Sequence, residues 1–175
     1  DEMLEDLRQR ATKDEKATVR SAACMALIEI VVQNVETEDD ITIFMGLCED
    51  SSVNTRKAAA EGLTRLVECR SSSRLVNAWS SSVLIMVLDS DTSCATKAVH
   101  VVERLVVLPI LNKEESSSSS ETTAWKILAS LGDNTVKGAS RSQTEALRVA
   151  LQKIFLAADN KNYAASLFRT IRDVA

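Results

Sequence analysis

Apolar positions recur along this chain at intervals of three and four and nowhere alternate in steps of two for a useful length, so the pattern predicts helices. Residues 2–12 set Met3, Leu4, Leu7 and Ala11 on one side and charges on the other. A second helix follows to about Gln33, with Asp14 placed to cap it and Val19, Ala22, Ala23, Ala26, Leu27 and Ile30 as its buried stripe. After a polar connector, Asp40 is placed to cap a helix over residues 41–49 that buries Ile41, Phe44 and Leu47. Its partner starts at Asp50 and ends near Cys69, and a Ser-rich loop runs from Arg70 to Arg74. A third pair is expected over 75–108, first a helix from Leu75 to Leu88 with Trp79, Val83, Leu84, Val87 and Leu88, then one from Ser93 to Leu108. Pro109 closes it, because proline inside a helix removes a bond and clashes with the turn before it. Residues 112–121, NKEESSSSSE, read as a mobile Ser/acidic loop. Helices resume at 122–131 and 142–158, and a last one from Tyr163, with Leu167, Phe168 and Ile171 on one face, opens a further pair.

Paired helices of similar length suggest a repeat, and one is present. DSSVNTRKAAAEGLTRLV at Asp50 matches DEKATVRSAACMALIEIV thirty-six residues earlier at Asp14. Asp14 stands to Arg20 as Asp50 stands to Arg56; Ala22 pairs with Ala58, Ala23 with Ala59, Ala26 with Gly62 and Leu27 with Leu63. The stripe is narrow and small-sided, so another helix can lie close against it. Gly62 costs about 1 kcal/mol relative to Ala inside a helix, and its match to Ala26 points to a close crossing. A third copy is read at Asp91, with Lys97 where the arginine stood. The fold class is therefore all-α, antiparallel helix pairs stacked as a right-handed solenoid, divided into pairs over about 2–33, 40–69, 75–108 and 122–158 and the start of a further pair at 163–175.

Composition agrees: 45% hydrophobic but 3% aromatic, with four glycines and one proline, describes an Ala- and Leu-rich helical core. The longest apolar runs are far short of the roughly twenty residues that a membrane span requires. The chain begins with Asp, and the expectation is a segment of a larger protein. Residues 1–50 hold thirteen acids and five bases, against twelve and sixteen in the remainder, and no dense basic stripe marks a nucleic-acid surface. Arg65, Arg70, Arg74 and Arg104 are the bases from which a weak duplex contact would have to be built.

Catalytic chemistry finds no constellation. His100 is the only histidine, no glycine-rich phosphate cradle is present, and Asp39-Asp40 and Glu114-Glu115 read as solvated turns. Cys24, Cys48, Cys69 and Cys94 lie more than twenty residues apart, which excludes zinc spacing and suits small apolar residues in a reducing compartment. No cofactor, metal or small-molecule substrate is expected. The Asp/Arg pairs read as a structural ladder of Asp14, Arg20, Asp50, Arg56, Asp91 and Lys97, each exposed pair worth about 0.2–1 kcal/mol. Off the shared stripe lie Lys57, Glu61, Thr64, Arg65 and Glu68, where Lys57, Glu61 and Arg65 are spaced to pair with one another. Ser118, with an acid three residues on, is either a phosphorylation site or part of a plain linker.

The Asp, Val-Arg, Ala-Ala and Leu spacing is similar to the HEAT-repeat signature. The succession LRQRATKDEKATVRSAACMALIEIV, CEDSSVNTRKAAAEGLTRLV, NAWSSSVLIMVLDSDTSCATKAV and TTAWKILASL, over roughly residues 4–131, resembles the HEAT array of the D-type non-SMC subunit of condensin, specifically that of condensin II. Thr55 departs from the usual Val before the arginine, and 132–162 carries no alignable motif. The resemblance implies a non-enzymatic scaffold in the nucleus and on chromosomes, binding the kleisin and the SMC ATPase subunits during mitotic chromosome condensation. Chromatin and DNA are then met mainly through the complex, with no membrane involved. The alternative is a general HEAT adaptor for protein transport or phosphatase assembly. Candidate partner-binding residues are Met25, Ile28, Val32, Lys57 and Arg65. An apolar patch of Met25, Ile28 and Val32 suits a kleisin groove, or else is buried against a preceding repeat.

Overall fold

In the computed structural model, which describes residues 2–34, 37–111, 118–132 and 141–157, the long elements are helical and no strand occurs among the described residues. They are α1 (Glu2–Lys13), α2 (Ala17–Gln33), α3 (Glu38–Leu47), α4 (Val53–Cys69), α5 (Ser73–Ser82), α6 (Thr92–Val102), α7 (Leu108–Leu111), α8 (Ser118–Gly132) and α9 (Arg141–Leu156). The chain divides into two compact units, residues 1–86 and 87–175.

In the first unit α1 packs on α2 and α3 on α4, while α1 lies against α3, α3 against α5 and α2 against α4. The first helices of successive pairs thus form one layer and the second helices another. Between the layers Leu27, Phe44, Leu63, Leu66, Leu75 and Trp79 are fully buried. Trp79 shows how a polar atom is accommodated there: its Nε1–H donates to Thr64 Oγ1 at 3.1 Å, and the Thr64 hydroxyl donates to the Ala60 carbonyl at 2.6 Å. Thr64, expected on the outer side, is accordingly a core residue.

Helix starts depart from the expected caps in an instructive way. Asp14 and Asp50 are not N-caps. Asp14 Oδ1 accepts the Lys16 N–H at 2.9 Å and Asp50 Oδ1 the Ser52 N–H at 2.7 Å, and those two residues hold the N-cap positions of α2 and α4 without a side-chain cap bond. In the third copy the same turn is made by Asp89, which accepts the Asp91 N–H at 2.8 Å, while Asp91 itself caps α6. The counterpart of Asp14 and Asp50 is therefore Asp89, two residues ahead of the expected register. Buried Ala95 occupies the arginine position and Lys97 lies off it. Ala98 falls level with Ala23 and Ala59, and all three are buried. Asp40 is likewise not a cap but the N3 partner of Thr37 in a reciprocal capping box.

The expected third pair changes at both ends. α5 stops at Ser82 and a 3-10 turn, Ile85–Leu88, completes the stretch read as one helix; Val83, Leu84 and Val87 are buried and Leu88 is 44% exposed. In the second unit, α6 continues through a π-helical segment, Glu103–Val107, into α7, so Pro109 does not close the helix. The Leu108 N–H reaches back five residues to the Glu103 carbonyl. The widened turn makes room for the proline ring, which would otherwise strike the preceding turn. α8 packs on the π segment and on α7, and α9 on α6. α8 begins at Ser118, so the last residues of the expected 112–121 loop are its first turn; 112–117, and the helix expected from Tyr163, lie outside the described residues.

Candidate functional site

The small-residue stripe of α2 is not buried as expected. Ala22 and Ala26 are exposed, Val19 and Ile30 half-buried, and the helix turns Ala23, Cys24, Leu27, Ile28 and Val31 inward. Alanine carries little apolar area, so the larger side chains set the rotation. Ile28, a candidate partner-binding residue, is therefore 1% exposed and lies over Gly62 of α4, where an added Cβ would stand 2.5 Å from its Cδ1 and Cγ1. What buries it is the following repeat. Met25 is 46% exposed and Val32 half-buried, so the three do not form one open patch.

Arginines join successive pairs. Arg20 grips Asp50 with two bonds, Nε to Oδ2 at 2.7 Å and Nη2 to Oδ1 at 2.8 Å, while its Nη1 donates to the Asp14 carbonyl at 2.9 Å. Arg56 repeats the last contact on the Asp50 carbonyl at 2.8 Å. The Arg20 bond holds the Asp50 carboxyl below its ordinary range, against the opposing pull of burial, and the Ser52 N–H adds to the lowering. In the other layer Arg8 does what no repeat spacing announced. Its Nε and Nη2 both reach Asp40 Oδ1, at 2.9 and 2.8 Å, and Asp40 Oδ2 accepts the Thr37 N–H and hydroxyl at 2.9 and 2.7 Å. Asp40 is 1% exposed, so this carboxylate is buried with its lone pairs used.

Of the bases considered for duplex contact, Arg65, Arg70 and Arg74 bond residues of a neighbouring pair, and Arg104 is exposed on the π segment. Arg65 pairs with Glu29 of α2, its bond holding the Glu29 carboxyl low, and the Glu61 charge on its own helix adds a weaker pull on the guanidinium. Arg70 donates to the Val31 and Val32 carbonyls at 3.3 and 2.7 Å, closing the end of α2, and Arg74 pairs with Glu38. Lys57 is half-buried on α4.

One groove is open. Between α1 and α3, Glu5, Arg8, Gln9, Thr12, Lys13, Asp39, Thr42 and Ile43 line a volume of about 400 Å³. With hydroxyls, an amide and both signs of charge on its walls, it suits a polar peptide segment better than an apolar ligand. No cluster of three metal-ligating side chains occurs among the described residues, and none of the described helices is long and apolar enough to cross a membrane. His100 is exposed on α6, its Nδ1 3.8 Å from the Glu103 carboxylate. Ser118 is the first residue of α8.

The described residues form an all-α protein whose first unit ties successive helix pairs together with arginine bridges. In sequence, 135 residues, 74% of the chain, are 29% identical to the condensin-2 complex subunit D3-L of Xenopus laevis, and 130 residues, 71% of the chain, are 30% identical to the condensin-2 complex subunit D3 of Mus musculus. The chain is homologous to a region of condensin-2 complex subunit D3. It spans 9% of the length of each of these relatives. No protein-family model and no solved structure matches it.

Proposed function

We propose that the chain is a non-enzymatic HEAT-type segment of a condensin II-type complex, acting in the nucleus and on chromosomes as a surface for the kleisin and SMC subunits. The homology to the D3 subunits carries this reading. The two-layer packing of residues 1–86 supports its structural half, a right-handed solenoid that presents helix faces rather than a catalytic pocket. Residues for partner contact are those the fold leaves accessible: Lys13 and Asp39 in the α1–α3 groove and Met25 on α2. Lys57 and Arg65 flank the second layer.

Titration calorimetry with fragments of the kleisin from the same organism tests it. Saturable binding is expected, lost in Met25→Asp or in Lys13→Glu with Asp39→Lys, both exchanging surface side chains and retaining the helical circular dichroism of the parent. A folded chain that binds no kleisin fragment would overturn the assignment of kleisin contact to this segment.

A further inference from the structure

The Thr37 hydroxyl stands where two helices are tied together. Thr37 caps α3 with its backbone extended, at φ −95° and ψ 166°, and the residue is exposed. Its Oγ1–H donates to Asp40 Oδ2 at 2.7 Å; the same oxygen accepts the Asp40 N–H at 3.2 Å and lies 3.3 Å from Arg8 Nη2 of α1. Asp40, 1% exposed, holds α1 to α3 through that one guanidinium, whose Nε and Nη2 both bond its Oδ1. Directly after the hydroxyl come the carboxylates of Glu38, Asp39 and Asp40. The first two are exposed, with Glu38 pairing with Arg74.

We propose that Thr37 is a phosphorylation site for an acid-directed Ser/Thr kinase, and that the phosphate undocks α1 from α3 by drawing Arg8 away from Asp40. A kinase cleft of positive potential is complementary to the exposed carboxylates of Glu38 and Asp39, which lie in the first turn of a helix, where ends fray most readily. In the transfer a P–O bond forms between Thr37 Oγ1 and the γ-phosphorus of ATP as the bond to ADP breaks, and the hydroxyl proton passes to the kinase's base. The phosphate brings about −1.5 to −2 of charge within reach of a guanidinium that already neutralises a carboxylate. One cation then faces two anions. Asp40 also loses the hydroxyl proton on its Oδ2, which keeps only the Thr37 N–H at 2.9 Å. The phosphate, on an exposed residue, is solvated wherever the guanidinium goes, whereas a buried carboxylate stripped of its cation is strongly destabilising. Its relief is to reach water by parting α1 from α3. The usual gain from a phosphate at a helix N-terminus is outweighed because the anion already there is buried and cannot move aside. This switch needs only the Thr37, Asp40 and Arg8 network and none of the partners proposed above.

The whole 175-residue chain is incubated with an acid-directed kinase and ATP, and the modified residues are located by fragment mass spectrometry. Phosphate on Thr37 of the folded chain is expected, and its absence there overturns the proposal. A chain carrying phosphothreonine at position 37, introduced by codon reassignment, is then compared with the unmodified chain by amide hydrogen exchange. Exchange of α1 is expected to quicken by roughly tenfold or more, while α9, in the second unit, keeps its rate. Unchanged or slower exchange of α1 overturns the switch. Asp40→Asn removes the second anion, so in that background, checked for the helical circular dichroism of the parent, the phosphate should not quicken α1. Arg8→Gln removes the contested cation and serves the same comparison if Asp40→Asn loses its fold. Equal quickening in parent and variant overturns the proposal, since the phosphate would then act without competing for Arg8.

Discussion

At the scale of single residues, Gly62 shows how one missing methyl sets an inter-helix distance. Alanine there gains about 1 kcal/mol of helix propensity but places a Cβ 2.5 Å from the Ile28 side chain. Ile28 is 1% exposed and has nowhere to swing. Overpacking of this kind costs about 1–3 kcal/mol, so Gly62→Ala is expected to lower the urea-unfolding free energy by about 1 kcal/mol. In an Ile28→Ala background the same change fills the space just vacated. The double-mutant cycle should then show a favourable coupling of at least about 1 kcal/mol, and strict additivity would mean that the two side chains do not meet. Ser80 gives the opposite case. Its hydroxyl is buried, 2% exposed, and has no hydrogen-bond partner among the described residues. Removing an unmade bond and improving helix propensity should make Ser80→Ala more stable by about 1 kcal/mol in the same measurement.

At the scale of elements, the arginine bridges tie stability to pH. The Asp50 carboxyl lies below its ordinary 3.8 because Arg20 bonds its charged form. A carboxyl lowered on folding contributes fully above its unfolded pKa and loses that contribution as pH falls through the folded value. Asp50→Asn is thus expected to cost about 2 kcal/mol at pH 7, the range for bonds to a charged group, and to lose less stability than the parent below about pH 4. Chemical denaturation at several pH values checks both limbs; parallel curves would put the acid sensitivity elsewhere. This bridge was half legible in the sequence, since the thirty-six-residue repeat marks Arg20 and Asp50 as rungs of a ladder but leaves open whether an arginine reaches the aspartate of its own or of the neighbouring turn. The Arg8–Asp40 bridge was not legible, because neither residue recurs at repeat spacing. Helix type was readable from periodicity almost throughout. Rotation was not: the alanines of α2 look like a core stripe, and only the weight of Ile28, Leu27 and Val31 turns the helix the other way. The third copy misled because its arginine has become Ala95, leaving Lys97 as a decoy two residues on.

At the scale of the whole chain, the cysteines report separately on the two units. Cys69 ends α4 and is exposed, whereas Cys24, Cys48 and Cys94 are buried. Burial pushes the Cys24 thiol up to about 12, with the Asp50 charge adding to it, and raises Cys48 for the same chief reason. Only a thiolate attacks a disulfide reagent. In the folded chain at pH 8 one thiol, Cys69, should therefore react with such a reagent on mixing, while the other three wait for unfolding. Cys24 and Cys48 share the core of residues 1–86, and Cys94 belongs to residues 87–175. In a urea series read by mass spectrometry, Cys24 and Cys48 are expected to become reactive together and Cys94 at its own midpoint, because each unit closes its own core. Coincident midpoints for all three would mean that the two units unfold as one cooperative body, and early labelling of Cys24 alone would mean that α2 opens without α3.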